Sequence, residues 1–111
     1  MLKIKYLLYY MEFPNPNPTR FTVYSKSGCP NCNKVKNLLK TNNLSFNVID
    51  CDEFILENKD EFLLFIKTIA GKECTTFPMV FTNAQFIGGY NETNNHIECI
   101  KSQTLDFDVL F

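Results

Sequence analysis

Apolar and polar residues change rhythm several times along this chain, and each rhythm predicts an element. Residues 20–25 form a compact run rich in β-branched and aromatic side chains, with Phe21, Thr22, Val23 and Tyr24 in succession, and predict a first strand. From residue 30 to 41 the apolar residues Val35, Leu38 and Leu39 recur at helical spacing, while Lys34, Lys36 and Lys40 fall on the water side. Pro30 suits the first turn of that helix, where its missing N–H costs nothing, and Asn42-Asn43 closes it. Residues 44–50 alternate Leu44, Phe46 and Val48 against Ser45 and Asn47, the period of a second strand. Residues 52–70 predict a second helix with an apolar face of Phe62, Leu63, Phe65, Ile66 and Ile69, closed by Ala70-Gly71-Lys72. Residues 78–82 and 84–87 predict two more strands, joined as a hairpin through Asn83. Gly88-Gly89 breaks the pattern, residues 91–102 predict a third helix, and residues 105–111 an apolar tail.

The order is β-α-β-α-β-β-α. It predicts an α/β thioredoxin fold: a four-stranded mixed sheet flanked by about three helices, with two strand–helix–strand crossovers that place helices on both faces. Ahead of it, residues 13–19 read Phe-Pro-Asn-Pro-Asn-Pro-Thr. Three prolines at alternate positions exclude a helix and predict an extended linker. Residues 1–19 are therefore read as an N-terminal extension with its linker, and residues 20–111 as one domain. Met11 lies just before the linker and is a second candidate start, and the aromatic and leucine content before it favours packing on the domain.

Composition narrows the function classes. With 111 residues the chain has length for one modest core, and 45% hydrophobic residues are ordinary for a globular protein. A net charge of −1 gives no reason to expect nucleic acid or a polybasic membrane contact. No apolar run approaches the roughly 18–20 residues of a membrane span, and the N-terminus lacks the longer apolar region and cleavage site of a signal peptide. Five cysteines with one close pair make a poor disulfide framework. A reducing compartment, the cytoplasm, is the expectation, and no membrane partner.

The close pair is Cys29-Pro30-Asn31-Cys32, set between the first strand and the first helix. A helix start offers unpaired N–H groups and the positive end of the macrodipole, which favour thiolate over thiol. Lys26, three residues earlier, adds positive charge. Both effects lower the Cys29 pKa below the roughly 8.5 of a free thiol. Cys29 is expected to be exposed at a loop, and Cys32, one turn further in, to be less exposed. Alone, the pair means redox or metal chemistry. Zinc takes four ligands, usually as two close pairs, whereas Cys51, Cys74, Cys99 and His96 are scattered, so no metal is expected. Cys51 and Cys99 are expected to be buried and inert. Packing is also the default for Cys74, although it precedes the Thr76-Phe77-Pro78 turn. His96 is expected at the surface, and Lys34 and Lys36 on a solvated face.

Three motifs stand in order: residues 24–32 around the cysteines, Thr76-Phe77-Pro78 before the third strand, and Gly88-Gly89-Tyr90-Asn91-Glu92 after the fourth. Over about residues 20–100 the sequence resembles the glutaredoxin family, of the dithiol type. The resemblance implies a glutathione-dependent thiol–disulfide oxidoreductase, with Cys29 as nucleophile and Cys32 as resolving thiol. It implies a cis Pro78, which turns the Phe77 backbone, after Thr76, toward a bound peptide as an added strand would pair. Glutathione is such a peptide, here a co-substrate. Gly88 and Gly89 would let it approach closely, and the N–H groups of Asn91 and Glu92 would hold a carboxylate. The Glu92 side chain would accept from the glutathione amine, and Lys26 would take the other carboxylate. The partners implied are glutathione and disulfide-bonded or glutathionylated proteins, met by a monomer.

The sequence also departs from the family pattern. Thr75 stands where many relatives carry a basic residue, Leu63 near where they carry Gln or Arg, and Asn31 where Tyr is common. Lys67 and Lys72 are the nearby cations that could supply the missing charge. Two other readings belong beside the first. One is a carrier of a [2Fe–2S] cluster, against which the rigid Pro30 argues. The other is a thioredoxin-like reductant fed by a reductase, against which the lack of a Trp-Cys-Gly-Pro-Cys site argues.

Overall fold

The computed structural model describes the backbone of residues 13–110, with side chains through Ser102. The segment before Phe13 lies outside the described residues, and so does the expectation that it packs on the domain. The elements are β1 (Phe21–Ser25), α1 (Pro30–Thr41), β2 (Phe46–Asp50), α2 (Asp52–Ala70), β3 (Met79–Thr82), β4 (Gln85–Gly88) and α3 (Tyr90–Leu110). The strands form one sheet in the order β2-β1-β3-β4. β1 runs parallel to β2 and antiparallel to β3, and β3 pairs antiparallel with β4. The sheet is thus mixed, as expected. Only the first strand–helix–strand unit is a parallel crossover; α2 returns the chain to a β3 that runs the other way.

Alternation along the central strands divides the core between the two faces. All five residues of β1 are buried, as suits a strand covered on both sides. Phe21 and Val23 join Val35, Leu39, Val80 and Ile97 under α1 and α3. Tyr24, Met79 and Phe81 point the other way, into the layer formed by Phe62, Phe65 and Ile66 of α2. The predicted stripes of α1 and α2 are therefore the faces that pack, with Leu38, Leu63 and Ile69 only half-buried at their margins.

Four local features differ from the expected ones. Asn58 breaks α2 into two helical pieces, with φ −142° and ψ 48°. It lies in the polar run 57–61, where an Asn side chain competes with the helix for backbone groups and no apolar stripe opposes it. Ala84, expected in a strand, is a turn residue. Asn83 and Ala84 both have positive φ, +50° and +64°, the pattern of a two-residue primed hairpin turn. The last helix continues through the residues expected to be a tail.

The fourth is the proline-rich segment, which is extended but not a free linker. Phe13 is 3% exposed and meets Phe54 and Phe62 edge-on, with ring centroids 5.1 and 5.5 Å apart. The Tyr24 hydroxyl donates to the Pro14 carbonyl at 2.6 Å, and the Asn17 N–H to Thr22 Oγ1 at 2.8 Å. Removed from water, the Tyr24 phenol has its pKa pushed up, chiefly by burial and then by the charge of Cys51.

Candidate functional site

The reactive pair sits where β1 hands the chain to α1. Gly28 has φ +66°, a left-handed conformation that turns the chain out of the strand. Cys29 follows in extended geometry as the N-cap of α1. Its Sγ accepts the Cys32 N–H at 3.1 Å, and its carbonyl accepts the Asn33 N–H at 3.3 Å. The first turn of α1 carries no acidic residue. A charge on Cys29 Sγ therefore lies against a helix N-terminus and a donated amide hydrogen, both of which stabilise thiolate. Cys29 and Cys32 are joined as a disulfide, with Cα atoms 5.3 Å apart.

Burial corrects one expectation. Cys32 is fully buried, as expected, but Cys29 is only 8% exposed rather than open at a loop. As the N-cap it folds its sulfur back onto the Cys32 amide instead of pointing it outward. What remains accessible opens into a depression of about 350 Å³ shared with Lys26, Lys36 and Val48. Lys36, expected on a solvated face, is half-buried there.

The loop before Cys29 is tied to the far helix. Asp52, in the first turn of α2, accepts the Ser27 N–H at 2.9 Å through Oδ1 and the Ser27 hydroxyl through Oδ2. Those two hydrogen bonds hold the Asp52 carboxyl below its ordinary pKa, against an opposing effect of desolvation and with the Lys26 charge adding to them. Lys26 itself lies over the Phe77 ring, Nζ 5.6 Å from the centroid. The Phe77 ring is in turn stacked on Phe62, with planes 1° apart.

Beside the pair runs a cleft of about 460 Å³. Thr76, Phe77, Pro78, Gly88, Gly89, Asn91 and Glu92 all line it, with Asn31 from between the cysteines. Three motifs far apart in sequence thus share one wall of the molecule. The Phe77–Pro78 bond is cis, as the resemblance implied. Lys26 does not line this cleft but reaches its edge over the Phe77 ring.

The third motif also carries contacts within the chain that the sequence pattern does not show. Gly88 has φ +137°, and a Cβ there would stand 2.8 Å from Cβ, Cγ and Oε1 of Glu92. Its glycine makes room for the Glu92 side chain as much as for any ligand. Glu92 Oε1 already accepts the Gly89 N–H at 2.8 Å, while the Thr93 hydroxyl donates to the Gly89 carbonyl at 2.8 Å. Glu92 is thus the carboxylate of its own helix cap. The amides of Asn91 and Glu92 lie in the first turn of α3, where helix geometry provides no internal acceptor.

Other residues belong to the cleft that the motifs did not mark. Tyr90, Phe86, Lys72 and Cys74 line it. Cys74 is half-buried, with Sγ 3.7 Å from the Thr76 carbonyl. Burial raises its pKa, against the Thr76 contact and Lys72, and Glu92 raises it further. Its place before the turn was the only sequence signal. Leu63 is packed against the α2 core and brings no polar group to the cleft. Elsewhere, Cys51 is fully buried, as expected, with burial pushing its thiol up to about 12. Cys99 is exposed, contrary to expectation, and lies with His96 in a separate depression. His96 is half-buried rather than at the surface, its ring edge-on to Phe21 at 6.2 Å. Among the described residues no three His, Cys, Asp or Glu side chains converge as metal ligands, and no helix is long and apolar enough to cross a membrane.

A mixed four-stranded sheet that presents a Cys-x-x-Cys at a helix start, facing a cis-proline turn, defines a thioredoxin-fold domain with a dithiol redox site. The comparisons narrow the class. The glutaredoxin family model matches residues 21–87. Glutaredoxin 1 of Rickettsia conorii is 36% identical over 67 residues, covering 60% of this chain and 61% of its own. Mitochondrial glutaredoxin-2 of Bos taurus is 32% identical over 72 residues, covering 65% of this chain and 43% of its own. The chain therefore spans less than two thirds of the length of either relative. The crystal structure of the holo form of glutaredoxin C1 from Populus tremula x tremuloides superposes with a TM-score of 0.65 at 27% identity, over 95% of this chain and 89% of that one. The chain belongs to the glutaredoxin family, and its Cys29–Cys32 pair makes it a dithiol member.

Proposed function

We propose that this protein is a glutathione-dependent thiol–disulfide oxidoreductase that reduces glutathione mixed disulfides and protein disulfides. The observation that carries the reading is the position of Cys29 Sγ, on the Cys32 amide at the start of α1 and beside the cleft lined by Thr76-Phe77-Pro78 and Gly88-Gly89. With a glutathionylated protein, Cys29 thiolate attacks the glutathione sulfur. A Cys29–glutathione disulfide forms, and the protein thiolate leaves and takes up a proton. The thiolate of a second glutathione then attacks that bond, releasing oxidised glutathione and restoring Cys29 thiolate. With a protein disulfide, Cys29 first forms a mixed disulfide with the substrate. Cys32 attacks Cys29 Sγ, expels the substrate thiol and leaves the Cys29–Cys32 disulfide, which two glutathione molecules reduce.

The burial difference fits this division, because the attacking sulfur is the one that reaches the surface depression and the resolving sulfur is enclosed. The reading places the protein in a reducing compartment, the cytoplasm, acting as a monomer. The test is a glutathione-coupled assay on a small glutathione mixed disulfide and on a protein disulfide. Cys29→Ser is expected to lose both activities. Cys32→Ser is expected to keep the first and lose the second. Disulfide exchange at the wild-type rate in Cys29→Ser, or turnover independent of glutathione, would sink the proposal.

A further inference from the structure

The reactive pair lies between two openings that share no lining residue. The cleft runs along the cis-proline turn and the start of α3, whereas the depression that Cys29 lines is bounded by the end of β1, by α1 and by β2. The reading above assigns glutathione to the first. The second contains the attacking cysteine itself.

Three features of the depression describe what fits it. The first is a free strand edge. β2 is an outer strand of the sheet, and among the described residues no strand pairs on its far side. The Ser45 carbonyl accepts the Phe21 N–H at 3.3 Å, and the Cys51 N–H donates to the Ser25 carbonyl at 2.9 Å. Odd-numbered residues of this segment therefore turn their backbone groups to β1. By alternation, the backbone groups of Val48 and Asp50 point outward, and both residues line the depression. The second feature is apolar surface: Val48 is 46% exposed, on the side of β2 from which Phe46 packs toward α1. The third is charge. Lys26 and Lys36 line the depression against one carboxylate, Asp50. Asp50 already accepts the Asp52 N–H at 3.0 Å, and the nearby Asp52 carboxylate is taken by Ser27. Among the described residues neither lysine is in a salt bridge.

We propose that this depression docks an extended, acidic segment of the disulfide-bearing substrate protein, added as an outer strand to β2. The segment's backbone pairs with Val48 and Asp50, an apolar side chain covers Val48, and a carboxylate meets Lys36 and Lys26. In strand addition the main-chain bonds supply affinity and the side-chain contacts select the sequence. The inference rests on the disulfide-exchange reading above and deepens it, by naming the kind of protein segment that is taken. Docked there, the segment brings its disulfide to Cys29. The Cys29 thiolate attacks one substrate sulfur. A Cys29–substrate bond forms as the substrate S–S bond breaks, and the second substrate sulfur leaves as thiolate and takes up a proton. A second copy of this chain is the rival occupant, since a free edge also pairs with its own kind.

The experiment measures kcat/KM of the full chain, with glutathione as reductant, for three linear peptides joined by a disulfide to one common short peptide. The first has Asp and Val beside its cysteine, the second has Lys in place of Asp, and the third is the first with N-methylated backbone amides. Wild type is expected to prefer the first over each of the others about two- to tenfold. Lys36→Gln is expected to shrink the preference for Asp over Lys, and Lys36→Glu to reverse it. A change in Cys29 reactivity alone would move both peptides alike. Equal rates on the Asp and Lys peptides, no loss on N-methylation, or an unaltered preference in Lys36→Glu overturns the inference. So does a wild type that sediments as a dimer and is made monomeric by Val48→Lys, which assigns the edge to a second copy. If Cys29→Ser reduces the peptides as wild type does, the functional reading fails first and this inference with it. A wild type that needs Cys29 but ignores the charge and backbone of the peptide defeats this inference alone.

Discussion

The cysteines of this chain differ in depth, and depth decides their chemistry, because the thiolate is the reactive species. Cys51 is buried at the junction of β2 and α2, with its pKa pushed to about 12 by burial above all. At pH 8 only roughly 1 in 10⁴ of its thiols is ionised. The folded pKa lies above the ordinary 9.0, so the protonated thiol favours the fold fully below pH 9, and that contribution is lost as pH rises from 9 toward 12. Cys99 has no such protection. The sequence allowed the same expectation for both, since a cysteine reads as a small hydrophobe. What separates them is angle. Cys99 lies two residues, about 200°, around α3 from the buried Ile97. With Cys29 and Cys32 held as the disulfide, iodoacetamide at pH 8 is expected to label Cys99 first, Cys74 more slowly, and Cys51 only after denaturation. Peptide mass spectrometry reads the order, and rapid labelling of Cys51 in the folded protein would contradict its place in the core.

At the scale of elements, the site depends on a contact between two helix starts. The Ser27–Asp52 hydrogen bonds hold the loop that carries Lys26 and Gly28 against the first turn of α2. Asp52 is depressed below 3.8 in the fold, so its contribution is complete above that pH and is lost as pH falls through the folded value. Asp52→Asn is therefore expected to flatten the loss of stability between pH 6 and pH 3, measured as the shift of the urea midpoint. Identical midpoint shifts in wild type and variant would show that the carboxylate is not engaged. Elements of this kind were readable where one periodicity ran unbroken. α1 is where Val35 and Leu39 predicted it, and Cys29 and Cys32 stand at its start as the sequence order required. The break at Asn58 and the turn at Ala84 were not readable, because each is decided by backbone dihedrals that a hydrophobic pattern does not encode. The Glu92 cap was half-visible: an acidic residue three places after Gly89 marks the position, but spacing alone does not show that its Oε1 takes the Gly89 amide.

For the whole molecule, the contacts hardest to foresee are those that join segments with no periodic relation. The cleft was foreseen because three motifs carried it together; the lysines over its rings were not, since nothing in residue spacing pairs Lys72 with Phe86. The same holds for the proline-rich segment, whose prolines forbid a helix but do not say where Phe13 goes. Phe13 goes into the layer between the sheet and α2, 3% exposed among Phe54, Phe62 and Phe65. Phe62 carries Phe77 stacked on its ring, and Phe77 carries Lys26, so the segment supports the wall of the cleft from behind. Truncating such a ring removes its transfer free energy and leaves a cavity that the surrounding aromatics only partly fill. Phe13→Ala is expected to cost about 3–5 kcal/mol, a large share of the roughly 5–15 kcal/mol that holds a domain folded. Phe13→Leu, which keeps most of the volume, is expected to cost less. Urea unfolding of the full chain measures both. A free linker at this position would give losses within about 0.5 kcal/mol for either variant, and that result would remove Phe13 from the core.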